Sequence, residues 1–370
     1  MSISNYKYLP VLALSPAEMV AIEELPSKDK DTILPLFLLK GWVASGRLSK
    51  SIERINKAIG DRAWIADIDE AFIEGKKNKD GQYPREVFKE IEDLLNEHNS
   101  YENWVRFLSA MDNVIPTLRY RDTSSSSTLI NQMNKLIELG RGVAVRFCMK
   151  TIEPNTFNAI VTAIKECKYN ELLIILDYGD IDRSILVEVD DNSQLIGKLS
   201  SILSGSIFAI SSSSFPNSFS GSYRGEIPIY ERQFYNKVTK SNSQIDFIYS
   251  DHGSARAEKQ KGGGGTPPPR IDYPLKNDWR FVRKEPNGDT SEERKALYQE
   301  AAIEVIGSDY WEPMLALWGT RMIEQTSNGD EYGITNPNRA TAVRINIHMY
   351  LQLHYLDTFD EMDTDEEWFD

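Results

Sequence analysis

The sequence predicts an α/β protein: a TIM-like (β/α)8 barrel followed by a C-terminal, mainly helical region. Eight apolar, β-branched runs occur before residue 253, and most are followed by an amphipathic helical stretch. The runs are continuously apolar rather than alternating, which is typical of parallel strands buried on both faces. Eight such units in about 250 residues is the size of a closed barrel. An open doubly wound sheet usually has a glycine-rich turn after its first strand, and none follows YLPVLAL here.

Strands are predicted from the apolar runs, and helices from the stretches between them. The predicted strands are residues 8–14, 32–39, 63–69, 113–121, 142–147, 171–177, 206–211 and 244–251. The predicted helices are residues 15–25, 48–60, 84–97, 101–111, 129–140, 156–167, 191–203 and 231–240. The first helix begins with a capping box, because Ser15 stands three residues before Glu18 and Pro16 suits the first helical turn. Gly140 predicts a helix end.

The composition changes after the eighth predicted strand, so that the barrel is expected to occupy residues 1–253. Residues 254–270 combine a glycine run with prolines and predict a linker or lid. Residues 271–356 predict a β-hairpin and three helices. Residues 357–370 form an acidic tail, which is either a solvated segment or, through its interleaved aromatic residues, a segment that docks on a protein partner or on the protein's own barrel mouth.

Composition narrows the functional classes. The net charge of −14 argues against broad nucleic-acid binding, which needs a basic surface. No apolar run is long enough to cross a bilayer and no basic-then-apolar leader is seen, so a cytoplasmic protein without membrane association is expected. The two cysteines are expected to be free thiols, and the four histidines lack zinc spacing. No metal or other cofactor is predicted.

Polar residues end most of the predicted strands, and in a barrel of this type the working residues lie at the C-terminal strand ends. We expect catalytic residues among the acids and the histidine found there: Asp67, Asp177, Asp251 and His252. His252 is the best candidate for a general acid or base. We expect ligand-binding residues at other strand ends and in the helical region: Arg119, Arg121, Arg146, Ser214, Arg344 and His348.

Arg146, within VAVRF, needs an anionic partner, because an unpaired buried charge is costly. Aspartates of other strands would supply it in an ion-pair ring that closes the top of the barrel. Alternatively, the arginines form a bidentate fork for a phosphate or carboxylate, with a carboxylate as general base. A third alternative is a Mg²⁺ ion held by aspartate oxygens, with four candidates: Asp67, Asp69, Asp177 and Asp180.

Arg344 and His348 are four residues apart in the last predicted helix, and they therefore share one helical face. This face either packs in a core or at a surface, or it docks over the barrel mouth and contacts a ligand there.

Several segments together resemble one known family. They are, in order, YLPVLALSPAEMVAIEEL, WIADID, IPTLR, AVRF, IILD, GSIFAISSSSFP, YSDHG, RIDYPLKNDWRFVRK and ATAVRINIH. These segments resemble the beta protein family, whose name we attribute to a phage T4 protein. The resemblance implies functional positions at Asp67, Arg119, Arg146, Asp177, Ser214–Pro216, Asp251, Arg344 and His348. Two positions depart from the family: Leu38 stands where an acid is usual, and His252 where a tyrosine is frequent.

The resemblance implies no settled activity, but it implies a setting among phage and anti-phage defence proteins. Our first hypothesis is a barrel whose mouth recognises an anionic, phosphate-bearing small molecule or nucleotide and hydrolyses it. The second is a non-catalytic binding or sensor scaffold that engages a protein partner through its helical region and acidic tail.

Overall fold

The computed structural model of the protein describes residues 2–219, 221–258, 265–288, 290–358 and 362. Two compact units are formed. Unit 1 consists of Met1–Leu14, Thr32–Ser213 and Tyr230–His252, and unit 2 of Ser15–Asp31, Ser214–Ile229 and Gly253–Asp370. Two segments that precede residue 253 therefore belong to unit 2. Residues 259–264 of the predicted linker, and residues 359–361 and 363–370 of the predicted acidic tail, lie outside the described residues.

Strands and helices alternate through most of the chain. The strands are β1 (Tyr8–Ala13), β2 (Leu36–Leu39), β3 (Trp64–Ile68), β4 (Val114–Pro116), β5 (Val143–Cys148), β6 (Leu172–Asp180), β7 (Ile207–Ser213), β8 (Arg224–Pro228), β9 (Phe247–Asp251), β10 (Arg270–Pro274) and β11 (Asp278–Arg283). The helices are α1 (Pro16–Glu23), α2 (Ser27–Lys30), α3 (Ser49–Ile59), α4 (Glu86–Leu94), α5 (His98–Ser109), α6 (Ser126–Ile137), α7 (Pro154–Lys165), α8 (Val189–Ile202), α9 (Tyr230–Ser241), α10 (Ser291–Ile306), α11 (Trp318–Ser327) and α12 (Pro337–Leu353).

Unit 1 is a nearly closed barrel of eight parallel strands. Their order is β4-β3-β2-β1-β9-β7-β6-β5, and neighbours pair in parallel register. The outer strands of this order, β4 and β5, meet where Thr117 bridges to Ala144 and the Leu118 N–H donates to the Ala144 carbonyl at 2.9 Å. This seam brings the two ends of the sheet together, and the predicted eight-stranded α/β barrel is confirmed.

The barrel interior is filled by every second residue of each strand, as the pleat of a β-strand requires. The apolar interior residues include Leu9, Val11, Leu36, Ile65, Ile115, Ala144, Leu173, Ile175, Ala209 and Ile248. Of these, Ile115 is the most exposed, at 5%. The residues between them are also buried in most strands, because helices cover the outside. Burial on both faces explains why the sequence shows continuous apolar runs.

The first helix does not belong to the barrel unit. Ser15 caps α1 as predicted, since its Oγ accepts from the Glu18 N–H at 3.3 Å. However, α1 packs in unit 2, where Asn346 of α12 donates from its side-chain amide to the Ala21 carbonyl at 2.9 Å. Capping residues specify where a helix begins, but they do not specify what its faces contact.

Unit 2 contains a small antiparallel sheet and the C-terminal helices. Strands β10 and β11 pair as a hairpin, and β8 adds a third strand along β11. The predicted strands did not include β8, whose residues are mostly exposed and polar. Trp279 is fully buried against Phe215 and His348 within this unit. None of the helices in the described ranges combines the length and the apolar character needed to cross a membrane.

Candidate functional site

At the C-terminal ends of several barrel strands, the interior positions are occupied by charged side chains instead of apolar ones. The interior position after Ile65 is Asp67, the one after Ala144 is Arg146, and the one after Ile175 is Asp177. Strand β9 continues from Ile248 to Ser250 and then to His252. The alternation of interior and exterior positions along each strand therefore places these polar side chains in one layer at the mouth of the barrel.

Arg146 links two buried carboxylates. Its Nη1 donates to Asp67 Oδ2 at 2.9 Å, while its Nε and Nη2 donate to Asp177 Oδ2 at 2.9 and 2.6 Å. The Arg146 side chain is 14% exposed, and those of Asp67 and Asp177 are 7% and 2% exposed. Every nitrogen of this guanidinium is therefore used within the mouth.

Arg119 extends the chain of charges on the other side of Asp67. Its Nη1 donates to Asp67 Oδ1, and its Nη2 donates to Glu70, whose side chain is 54% exposed. The Ile68 N–H also donates to Asp67 Oδ1, at 2.8 Å. Arg119 is thus fixed at the edge of the mouth by a buried acid and by a half-exposed one.

His252 completes the cluster. Its Nε2 lies 3.0 Å from Asp177 Oδ1, which also accepts from the Gly179 N–H at 2.9 Å. Burial alone would raise the pKa of Asp177, but His252 and Arg146 overcome this effect and hold the pKa well below its usual range. Because Asp177 is then ionised, Nε2 carries the proton of this contact. In the neutral imidazole, Nδ1 is consequently the acceptor.

Three buried polar atoms of the mouth lack a hydrogen-bond partner in the part of the chain that the structure describes: Arg119 Nε, Ser211 Oγ and Ser250 Oγ. Ser211 pairs in register with Asp177, and Ser250 lies on the neighbouring strand β9. Buried polar groups are normally satisfied, and exceptions mark a place for water or a ligand. The mouth therefore retains hydrogen-bonding capacity beyond its ion pairs.

The paired carboxylates predict a loss of stability in acid. The arginines lower the pKa of Asp67 against the opposing effect of burial, as His252 and Arg146 lower that of Asp177. A lowered folded-state pKa contributes stability that is fully present above the unfolded-state pKa of about 4 and is lost as the pH falls through the folded-state value. The free energy of unfolding should thus fall below about pH 4, as urea titrations between pH 6 and pH 2.5 would measure.

The matched control for this pH dependence uses two asparagine variants. Asp177→Asn should make the free energy of unfolding fall less steeply in acid, because it removes one of the two carboxyl groups whose pKa is lowered. Asp80→Asn, in an exposed loop, should leave it as in the wild type. An Asp177→Asn protein that loses stability in acid as steeply as the wild type would contradict the assignment.

Of the other predicted site residues, two belong to unit 1 but not to the Asp67–Arg119–Arg146–Asp177–His252 cluster. Asp251 is on the opposite face of β9, where Tyr8 donates to its Oδ1 at 2.5 Å. Arg121 is exposed and donates to the Leu95 carbonyl at 3.2 Å. The remaining three, Ser214, Arg344 and His348, belong to unit 2. The pleat directs the Asp251 side chain away from the barrel interior, so it does not join the cluster.

The aspartates considered as Mg²⁺ ligands do not form a cation site. Asp67 and Asp177 give their oxygens to arginines and to His252. Asp69 lies 3.6 Å from Lys40 Nζ. Within the described ranges, no group of three or more His, Cys, Asp or Glu side chains is arranged to hold a metal ion.

Sequence reasoning missed Glu70 and Ser250. Glu70 follows β3 in a loop, where an acid carries no local signal of an ionic partner. Ser250 is a small polar residue between Tyr249 and Asp251 within an apolar run. Its interruption of that run, one pleat before His252, is the signal that could have indicated it.

Comparison with known proteins agrees with the resemblance noted in the sequence. The family model described as "Beta protein" matches residues 8–354. A curated relative, "Protein beta" of Enterobacteria phage P4, is 25% identical over 369 residues, which cover 98% of both chains. With a match that spans the barrel strands, the charged mouth and the C-terminal helices, the chain belongs to the beta protein family.

Proposed function

We propose that the barrel mouth binds a small anionic, phosphate-bearing ligand, and that the protein acts in conflict between phages and bacteria. The observation that carries the proposal is a set of buried donors at the mouth that have no hydrogen-bond partner in the described part of the chain: Arg119 Nε, Ser211 Oγ and Ser250 Oγ. Guanidinium and hydroxyl groups are suitable donors to phosphate oxygens. Binding at the C-terminal end of the strands is also the general rule for barrels of this kind.

The ligand need not displace the internal ion pairs. Arg119 keeps its Nη contacts with Asp67 and Glu70 while its Nε is left to donate. Each nitrogen of Arg146 already donates to Asp67 or Asp177, so the main part of Arg146 is to supply positive charge to the mouth. Fixed charges and donors of this type favour an anion without reorganisation.

The Asp177–His252 pair supports hydrolysis of the bound ligand. Asp177 accepts the Nε2 proton and orients the imidazole, which leaves Nδ1 as a base for a water molecule. The water oxygen would attack the phosphorus as its proton passes to Nδ1, and the ester oxygen would leave. This is the role that we assign to His252.

The test of binding exploits the two serines. The double variant Ser211→Ala/Ser250→Ala removes two hydroxyls that have no hydrogen-bond partner among the described residues, so it should fold normally. It should bind phosphate-bearing probes about tenfold more weakly, as for the loss of one or two hydrogen bonds. Calorimetric titration with pyrophosphate and with nucleotides measures this. Ser201→Ala on α8 is the control. A wild-type protein that binds none of these probes contradicts the proposal.

The test of hydrolysis uses His252→Asn, which should still bind the probe but release no phosphate. A phage-challenge assay with the wild type, His252→Asn and the double serine variant then tests the biological setting. Equal phage yields in the strains that carry the wild type, His252→Asn and the double serine variant would exclude a role of the mouth in phage conflict. A strain with the empty vector is the reference.

A second candidate function, the non-catalytic scaffold, is favoured by the internal ion pairs of Arg146. Its three nitrogens all donate to internal carboxylates, as in an ion-pair ring whose purpose is closure of the barrel. In that case a protein partner is engaged through the helical region and the acidic tail. Truncation after residue 356 would then abolish the effect on phage, whereas the mouth variants would be silent.

A further inference from the structure

Unit 2 contains a second cluster of buried charge that the proposed function does not use. Arg344 of α12 donates from Nη1 to Asp272 Oδ2 at 2.7 Å, and both side chains are about 5% exposed or less. Arg270 also contacts Asp272, with Nε 2.7 Å from Oδ1 and Nη2 3.0 Å from Oδ2. Two guanidinium groups therefore share one carboxylate.

An aromatic ring covers one flat face of each arginine. The Arg344 guanidinium carbon lies 3.8 Å from the centre of the Phe215 ring, and that of Arg270 lies 3.6 Å from the centre of the Phe219 ring. Stacking of this kind is favourable and fixes the plane of the guanidinium. The N–H groups of a guanidinium lie in its plane, so this stacking leaves its edges open for hydrogen bonds.

One edge of Arg344 is unused. Its Nε is buried and has no hydrogen-bond partner within the described ranges, and its Nη2 likewise donates to none of the described residues. The Nε and Nη2 hydrogens point the same way and form the side fork that binds carboxylate or phosphate through two parallel hydrogen bonds. Burying a charged group with unused N–H donors costs free energy unless an anion binds to those donors.

The surroundings of Arg344 are short of negative charge. Burial, together with the positive charges of Arg270 and Arg256, lowers the pKa of Arg344 to about 10 in spite of Asp272. Arg256 is held by the backbone carbonyls of Pro216 and Asn217, at 2.9 and 2.7 Å from its Nε and Nη2. His348, one turn along α12, stacks on Trp279 and adds no acid.

We propose that unit 2 carries an oxyanion-binding site in which the Nε–Nη2 edge of Arg344 grips one phosphate or carboxylate group, with Arg270 as the second positive charge. Phe215 and Phe219 hold the two guanidinium planes and exclude water from them. The site takes a single small oxyanion group, whether free or at the end of a larger molecule.

Calorimetric titration at constant ionic strength, with inorganic phosphate in one arm and acetate in the other, tests the site and separates the two chemistries. The wild type should bind at least one of them. Arg344→Lys keeps the charge but has no side fork, and it should weaken binding at least tenfold. Arg280→Lys, whose arginine pairs with Asp278 and Glu226 on the same sheet, should bind like the wild type.

Further variants keep the outcome decisive. If Arg344→Lys does not fold, as judged by its circular dichroism, Arg270→Lys decides, because the Arg270 side chain is 22% exposed and tolerates change better. Ser211→Ala/Ser250→Ala should retain the binding that Arg344→Lys loses, which separates this site from the proposed barrel site. A wild type that binds neither anion, or folded Arg344→Lys and Arg270→Lys proteins that bind normally, would overturn the proposal.

Discussion

Replacing Arg146 with alanine is expected to lower the free energy of unfolding by about 3–5 kcal/mol, the range for removing one partner of a buried ion pair. Oδ2 of Asp67 and Oδ2 of Asp177 accept hydrogen bonds from Arg146. Both oxygens would be left buried and unpaired in the variant, and unpaired buried charge dominates such costs. Urea unfolding at pH 7, followed by circular dichroism, measures the change.

Arg121→Ala is the matched control for this prediction. Arg121 ends the same predicted strand as Arg119, but it is exposed and makes one hydrogen bond to a backbone carbonyl, so its loss should cost under about 1 kcal/mol. Equal effects of the two alanine variants would show that Arg146 is not part of a buried network. It also follows that loss of activity in Arg146→Ala would not by itself identify a ligand contact, and for this reason the serine variants carry the binding test.

Leu173→Ala is expected to destabilise the protein by about 2–5 kcal/mol, the range for truncating a fully buried leucine. Leu173 lies in the barrel interior with no exposed surface, and the ring of strands around it cannot collapse to fill the cavity. Leu356→Ala is the same substitution at a residue that is 90% exposed, and its effect should stay within about 0.5 kcal/mol. Thermal and urea unfolding of the two variants provide the comparison, and similar stabilities would contradict a packed interior at Leu173.

The barrel could be predicted from the sequence because its evidence is local. Each strand is a short apolar run, each helix has its own periodicity, and signals such as Ser15 and Gly140 mark helix ends. Strand pairing then follows from right-handed crossovers between parallel strands. The approximate positions of Asp67, Arg146, Asp177 and His252 followed from the strand ends alone.

The side on which a residue lies could not be predicted, and Asp251 shows why. In a half-exposed strand, alternation of apolar and polar residues reveals the buried face, but the barrel strands are buried on both faces. The run IDFIYSDH carries no mark that His252 points inward and Asp251 outward. One residue of register decides whether an acid joins the mouth or pairs with Tyr8.

Long-range assignments were equally out of reach. The helix α1 follows β1 directly, as a barrel helix would, yet its contact with Asn346 is made 325 positions away. The strand β8 is short and has no apolar run, and it forms because β11 offers it a pairing edge. Glu70 is recognised only through Arg119. Each of these depends on a partner that no local pattern encodes.

The ion pairs of the barrel mouth span the seam between β4 and β5. Asp67 and Arg119 lie on the β3–β4 side of the seam, and Arg146 and Asp177 on the β5–β6 side. Few backbone contacts join β4 to β5. The Arg146–Asp67 ion pair therefore links the half of the barrel that contains β3 and β4 to the half that contains β5 and β6. Protonation of Asp67 in acid should therefore separate β4 from β5 first, while the hydrogen bonds between β1 and β9 remain in place.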